Sequence, residues 1–164
     1  MNAEPGTFEA LAHLLRRERI AHLATLRGGA PMASMTLYLP APDFSLFYVH
    51  VSRLAWHTQD MLADARVSLS IAETDDRRAD PFTFARVTLR GDAVQINNKD
   101  SSFENLKTTW LARFPEQAIN FTLADFSFWR LAPCDARFVA GFGRIHNLSA
   151  AELALAAPNP DPLE

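Results

Sequence analysis

The sequence predicts a mainly β protein, an antiparallel barrel with short helices packed around it. Three observations lead there. Several segments alternate apolar and polar side chains with a period of two, as where Val67, Leu69 and Ile71 oppose Arg66, Ser68 and Ser70. A Gly28-Gly29 pair between two apolar segments reads as a tight hairpin. No alternation of strand and helix appears of the kind a parallel doubly wound sheet requires.

The totals fit a single domain. The chain has 164 residues, 48% of them hydrophobic and 21% charged. A chain of this length buries roughly two-thirds of its unfolded surface and needs neither disulfide nor structural metal. One domain is expected over residues 1–157, with a tail over 158–164. The lone Cys134 allows no disulfide framework and no cysteine metal knuckle, so no metal site is expected. A net charge of −3 argues against nucleic acid as the main partner. No stretch approaches ~20 apolar residues and no signal-peptide region is evident, so a membrane span is not expected and a cytoplasmic location is.

In chain order, Thr7 is expected to cap a first helix with Phe8, Leu11, Ala12, Leu14 and Leu15 as its apolar stripe. Arg16, Arg17 and Arg19 lie at its C-terminal end, where the helix dipole favours cations. Ile20 to Leu26 is a strand, returned through Gly28-Gly29 by a second from about Pro31 to Leu39. Pro40, Pro42 and Asp43 form a turn cluster. A strand follows from Phe44 to Val51, then a helix from Ser52 to about Ala63, then the alternating strand Arg66 to Ile71. Glu73 to Pro81 reads as an exposed charged loop. Phe82 to Arg90 alternates again, and Gly91-Asp92 suggests a bulge before Ala93 to Ile96. Ser101 and Glu104 propose a capping box for a helix carrying Phe103, Leu106, Trp110, Leu111 and Phe114. Glu116 to Ile119 suggests a short helical turn. Two strands are expected from Ala124 to Leu131 and Ala136 to Ala140, parted by Pro133. Ser149 and Glu152 form a second capping box.

The stretch Phe47 to Met61 carries the clearest chemical suggestion. It passes from a strand to a helical spacing at Ser52, a good N-cap residue. The cap hydroxyl, the free N–H groups of a first helical turn and the Arg53 guanidinium together would make a phosphate cradle. An ordinary capped helix has the same pattern. Other signatures are absent: no Walker loop, nucleophile elbow, zinc-type histidine pair or cysteine pair. His13 and His22 read as packed or surface histidines, Trp110 and Trp129 as core or interface residues. Trp56 is a candidate for a dimer surface.

Four motifs in order carry a family resemblance. His50 to Thr58 (HVSRLAWHT) resembles the H-x-S-x-L-A-x-H-T segment of the pyridoxamine 5′-phosphate oxidase-like, FMN-binding split-barrel proteins. Pro31-Met32-Ala33-Ser34 precedes a strand ending at Tyr38, and Ala63 to Leu69 (ADARVSL) is similar to that family's A-D-P-R-x-S-L. Ala136 to Arg144 (ARFVAGFGR) resembles the C-terminal motif of the haem-utilisation (HugZ-like) branch. The resemblance covers about Phe8 to Leu153. It implies a six-stranded antiparallel split β-barrel of Greek-key type, forming a homodimer with FMN in clefts between the subunits.

Residue by residue, the resemblance assigns Ser52 and Arg53 to the FMN phosphate, with Leu54 in the same turn and His57 and Thr58 one turn further. Ser34, Met35 and Thr36 would run along the isoalloxazine, and Tyr48 and Val49 fall at further flavin contacts. Arg86 would reach the phosphate or the ring, or remain a surface residue of the sheet. Arg144 and His146 resemble an R-x-H element that grips a substrate phosphate in the true oxidases. Leu54 stands where those oxidases place a lysine, and Ser34 and Leu39 stand where they place an arginine and a lysine. Each missing charge-assisted contact removes about 1.5–3 kcal/mol of anion binding. A vitamin B6 enzyme is therefore not expected.

These readings imply an FMN-dependent oxidoreductase acting on a small molecule, with the flavin supplying the chemistry and no catalytic side chain named. A haem-binding or haem-degrading protein is the alternative, with His146 as candidate axial ligand or a plain loop histidine. The haem-utilisation branch usually adds a C-terminal domain that this chain is expected to lack. A non-enzymatic flavin-binding dimer is the third reading.

Overall fold

The computed structural model describes residues 6–157. The expected tail over 158–164 lies outside the described residues. Helix α1 (Thr7–Arg17) precedes the hairpin of β1 (Ile20–Arg27) and β2 (Ala30–Leu37), then the two-residue β3 (Leu39–Pro40) and β4 (Phe47–Ser52). Helix α2 (Trp56–Ala63), β5 (Arg66–Ala72) and β6 (Arg86–Gln95) follow. Helix α3 (Phe103–Arg113) and a 3-10 segment (Pro115–Thr122) lead to β7 (Phe126–Val139), β8 (Ile145–Ser149) and α4 (Ala150–Leu155).

The strands form one antiparallel sheet in the order β2-β1-β5-β6-β7-β4-β3, with β8 also paired to β7. That order begins and ends on one stretch of chain. β2 pairs with β1 as far as Leu37, and beyond Tyr38 the same stretch pairs with β4 through Leu39 and Pro40. The chain turns a corner at Tyr38, so the sheet curls into a split barrel with flanking helices. Eight strands are seen among the described residues where six were expected; the two-residue β3 and the unforeseen β8 are the additions.

Tyr38 anchors that corner. It is fully buried, and its hydroxyl donates to the Leu15 carbonyl at 2.8 Å. Arg113 donates to the Arg16 carbonyl at 2.8 Å. These two side chains satisfy carbonyls that the end of α1 leaves free. The Arg16 to Arg19 cluster, expected to serve the helix dipole, is not what caps them. Thr7 is the first helical residue rather than the cap, and Gly6 takes the capping position with φ 84°.

Strand β7 is the spine of the sheet. Its first half pairs with β4 (Phe47 to Leu131 through Ser52 to Phe126), its second half with β8, and both halves with β6. The sequence suggested two strands broken at Pro133, but one 14-residue strand runs through it. Pro133 is tolerated because β4 has ended opposite Leu131 and β8 begins only opposite Asp135. No ladder partner on that side needs the N–H that proline lacks. On the other side the register shifts between Arg90 and Gly91, the bulge that the glycine suggested.

The main core fills the barrel and includes Leu23, Phe47, Val49, Leu69, Trp129, Leu131 and Phe138. A second cluster, Leu39, Ile96, Leu106, Trp110, Phe114 and Phe128, lies outside β4 and β7 under α3. β4 is therefore buried on both faces: Phe47, Val49 and Val51 point into the barrel, while His50 faces α3. His50 is 8% exposed and stacks on Phe121 at 4.2 Å, with Phe128 at 4.5 Å. Its Nδ1 has no partner among the described residues. Burial pushes this imidazole down to about 4.

Two local expectations change and a third holds. Phe82 belongs to a 3-10 turn (Pro81–Thr83) capped by Asp80, so β6 starts only at Arg86. Asp100, not Ser101, organises the turn before α3, accepting from the Ser102 N–H and hydroxyl; no side chain caps that helix. The Ser149–Glu152 capping box forms as expected.

Two outcomes follow from this packing. A Cβ on Gly91 would stand 2.0 Å from the Ala132 carbonyl oxygen. Gly91→Ala is expected to cost at least about 2 kcal/mol of stability in denaturant unfolding. His50 gives a pH signature. The unfolded chain takes up a proton near pH 6.5, whereas the folded one resists to about 4. Its contribution is thus fully present above about pH 6.5 and lost as pH falls towards 4. Unfolding curves from pH 7 to 4 are expected to show a shallower acid loss in His50→Phe than in wild type.

Candidate functional site

The turn from β4 into α2 lies at the end of the barrel where β7 begins, since Ser52 pairs with Phe126. Ser52 is the last residue of β4 and does not cap α2. The cap position is Ala55, which has no side chain to offer, and the helix starts at Trp56. The reason is local. The Ser52 hydroxyl donates to the Asp125 carboxylate and accepts the Leu54 N–H at 3.0 Å. The Ser52 carbonyl accepts the Ala55 N–H at 3.1 Å and the Thr58 hydroxyl at 2.7 Å. The Arg53 N–H goes to the Asp125 carbonyl at 2.7 Å.

Several of the donors expected to cradle a phosphate are therefore already used within the chain. Asp125 takes the Ser52 hydroxyl and the Arg53 N–H, and Ser52 takes the Leu54 and Ala55 N–H groups and the Thr58 hydroxyl. The Arg53 side chain is exposed and makes no hydrogen bond or ion pair among the described residues. It lines a cleft with Thr58, Gln95, Asp125 and Ser127. The Leu54 side chain is 75% exposed.

The opposite face of α2 packs on β1 and β2 through a polar cluster. Asp60, almost wholly buried, accepts the Thr25 hydroxyl at 2.8 Å and the Arg27 guanidinium at 3.0 Å. The same guanidinium lies over the Trp56 ring, 4.3 Å from its centroid. His57 Nδ1 is 2.9 Å from the Ser34 hydroxyl, and its Nε2 is buried with no partner among the described residues. Burial lowers the His57 pKa and favours the neutral ring, an effect partly countered by the nearby Asp60 carboxylate, which favours the charged one.

The structure gathers Ser52, Arg53, Leu54, His57 and Thr58 around this turn, with Ser34 held to His57. On β2, Met35 points outward at 61% exposure, while Thr36 is buried and donates to the Leu37 carbonyl at 3.1 Å. Val49 lies wholly inside the barrel core and offers no side chain to a ligand, and Tyr48 packs against the second aromatic cluster. Arg86, Arg144 and His146 are not brought here within one chain. Arg86 pairs with Val139 at the far end of β7 and donates to the Phe82 and Phe84 carbonyls. Arg144 donates to the Ala140 carbonyl. His146 pairs with Phe138, stacks on its ring at 6.3 Å and has an unpartnered Nε2.

Sequence reasoning missed Asp125, Asp60, Arg27 and Thr25. Asp60 had a signal, since it falls on the inward stripe of the expected helix beside Met61. Asp125 had none: it fell inside the strand expected from Ala124 to Leu131, and only the pairing of β7 with β4 brings it to Ser52.

Comparison with known proteins gives the relatives of this arrangement. A sequence model of the family described as CREG, beta-barrel matches residues 10–154. The Arabidopsis thaliana protein named non-canonical heme oxygenase HOZ, chloroplastic, is 38% identical over 113 residues, 69% of this chain and 33% of that protein. A heme binding protein from Mycobacterium smegmatis is 25% identical with a TM-score of 0.82, over 94% of this chain and 62% of the other. HutZ, the heme storage protein of Vibrio cholerae, is 21% identical with a TM-score of 0.68, over 81% and 91% of the two chains, a likeness of fold. The chain thus spans a third of the plant relative and under two-thirds of the mycobacterial one. The fold is also that of the pyridoxamine 5′-phosphate oxidase-like proteins. No helix among the described residues is long and apolar enough to cross a membrane.

The α2 cluster makes its own prediction. Asp60→Ala strips the Thr25 hydroxyl and the Arg27 guanidinium of their shared acceptor, an expected loss of about 1–3 kcal/mol. Asp60→Asn keeps an acceptor and loses less. A shift of tryptophan fluorescence should accompany the alanine change, because Arg27 is no longer held over Trp56.

Proposed function

We propose that this chain, which belongs to the CREG beta-barrel family, is a haem-binding protein that stores, carries or degrades haem. The observation that carries the reading is the 38% identity over 113 residues to a plant protein named as a heme oxygenase. The likeness to a heme binding protein across 94% of this chain supports it. The reading prefers haem to FMN, the other cofactor such barrels suggest. FMN asks for a phosphate cradle, and at the Ser52 turn the hydroxyls and N–H groups are engaged elsewhere. Haem asks mainly for apolar surface and one axial ligand.

The donor chemistry suits it. Neutral imidazole is the form that ligates iron, and His57 and His146 each keep a ring nitrogen without a partner among the described residues. These two would be the ligand candidates. The Ser34 hydroxyl beside His57 Nδ1 is the kind of contact that fixes the orientation of a ligating ring. A bound haem would supply iron chemistry towards dioxygen, which side chains cannot. Within the same reading the protein is a homodimer, with the exposed Met35 of β2, Leu54 and Trp56 on surfaces a second copy would cover.

Titration of the purified protein with haemin, followed by visible absorption, tests this. A sharpened, saturable Soret band is expected. Changing His57 to Ala and His146 to Ala separately should shift or remove that band in one variant only. A haemin spectrum that the protein leaves unchanged would overturn the proposal.

A further inference from the structure

We infer that Asp125 is a built-in substitute for a bound phosphate, and that it excludes FMN and similar phosphate esters from the cleft beside Arg53. The inference rests on the geometry of the Ser52 turn and stands whether or not haem is the physiological ligand.

A β4-to-α2 turn of this kind would hold a phosphate with the Ser52 hydroxyl, the backbone N–H groups after it, the Thr58 hydroxyl and the Arg53 guanidinium. Here the first of these donates to the Asp125 carboxylate. The Arg53 N–H donates to the backbone carbonyl of the same aspartate at 2.7 Å. With the anion's place taken from inside, the Leu54 and Ala55 N–H groups and the Thr58 hydroxyl fold back onto Ser52. One residue thus satisfies the turn at two points, through its side chain and its main chain, and β7 holds it there because Phe126 is locked opposite Ser52.

Two costs then face a phosphate ester. It must break the Ser52–Asp125 bond, leaving a partly buried hydroxyl and carboxylate to find new partners. It must also bring a dianion against a carboxylate lining the same cleft, and like charges at contact distance repel. Arg53 alone cannot offset both, since an exposed guanidinium gives only a screened attraction. Asp125 therefore acts on ligand selectivity. The cleft stays open to ligands without a phosphate, while flavin mononucleotide is turned away.

The test is titration of wild type, Asp125→Ala and Asp125→Asn with FMN, read by quenching of flavin fluorescence, with inorganic phosphate as competitor. Wild type is expected to show no saturable quenching up to about 1 mM FMN. Both variants should bind at least about tenfold more tightly, Ala more than Asn because it removes bulk as well as charge. Phosphate should compete, and adding Arg53→Ala should abolish the gain. Circular dichroism checks that each variant is folded, and Asn, which keeps an acceptor for Ser52, covers an unfolded Ala variant. Wild type binding FMN at micromolar concentrations would overturn the inference, as would a folded variant that gains nothing. Haemin titration of the same samples reads the haem proposal separately: failure to bind haemin sinks that proposal alone.

Discussion

The close approach of Gly91 to the Ala132 carbonyl is the constraint on which this structure depends. With a Cβ 2.0 Å from that oxygen ruled out, only glycine lets β6 change register there and follow β7 past Pro133. The result is a single spine of 14 residues that borders β6 from Trp129 to Val139, β4 over its first half and β8 over its second. β7 runs on through Pro133, whose missing N–H no strand on its other side requires.

The spine also distributes the chemistry. Its two ends are the two ends of the molecule's candidate sites. Ser52 and Asp125 meet at one end, and Arg86 and His146 lie on its neighbours at the other. Residues that a motif comparison would place around one ligand are therefore held a strand's length apart within one chain.

At the Ser52 turn the deciding physics is hydrogen-bond supply. A strand feeding a helix exposes several donors at once, and something must accept them. A phosphate is one solution and a carboxylate is another. This chain supplies the carboxylate from Asp125, the residue just before β7, so the Ser52 hydroxyl is satisfied without a ligand. On the other side of α2 the Asp60–Thr25–Arg27 cluster does comparable work for structure, holding the helix to β1 through a buried carboxylate.

Much of the architecture was legible in the sequence. The period-two alternation of β5, the Gly28-Gly29 hairpin with both residues at positive φ, the Gly91 bulge and the Ser149–Glu152 box are local features, and local chemistry writes them directly. The stripe of α1 was legible for the same reason. What failed was non-local. Pro133 looked like a break, because only the ends of β4 and β8 reveal that no partner needs its N–H. Ser52 looked like a cap, since its residue type and spacing are right, but a hydroxyl donates to the best acceptor within reach, and that acceptor lies 73 residues further on. The sequence by itself determined the fold class, the Gly28-Gly29 hairpin and Gly91 bulge, and the place of Ser52, Arg53 and Thr58 at the β4–α2 corner. Tertiary structure alone decided which donors there remain free, because that depends on what a distant strand brings within 3 Å.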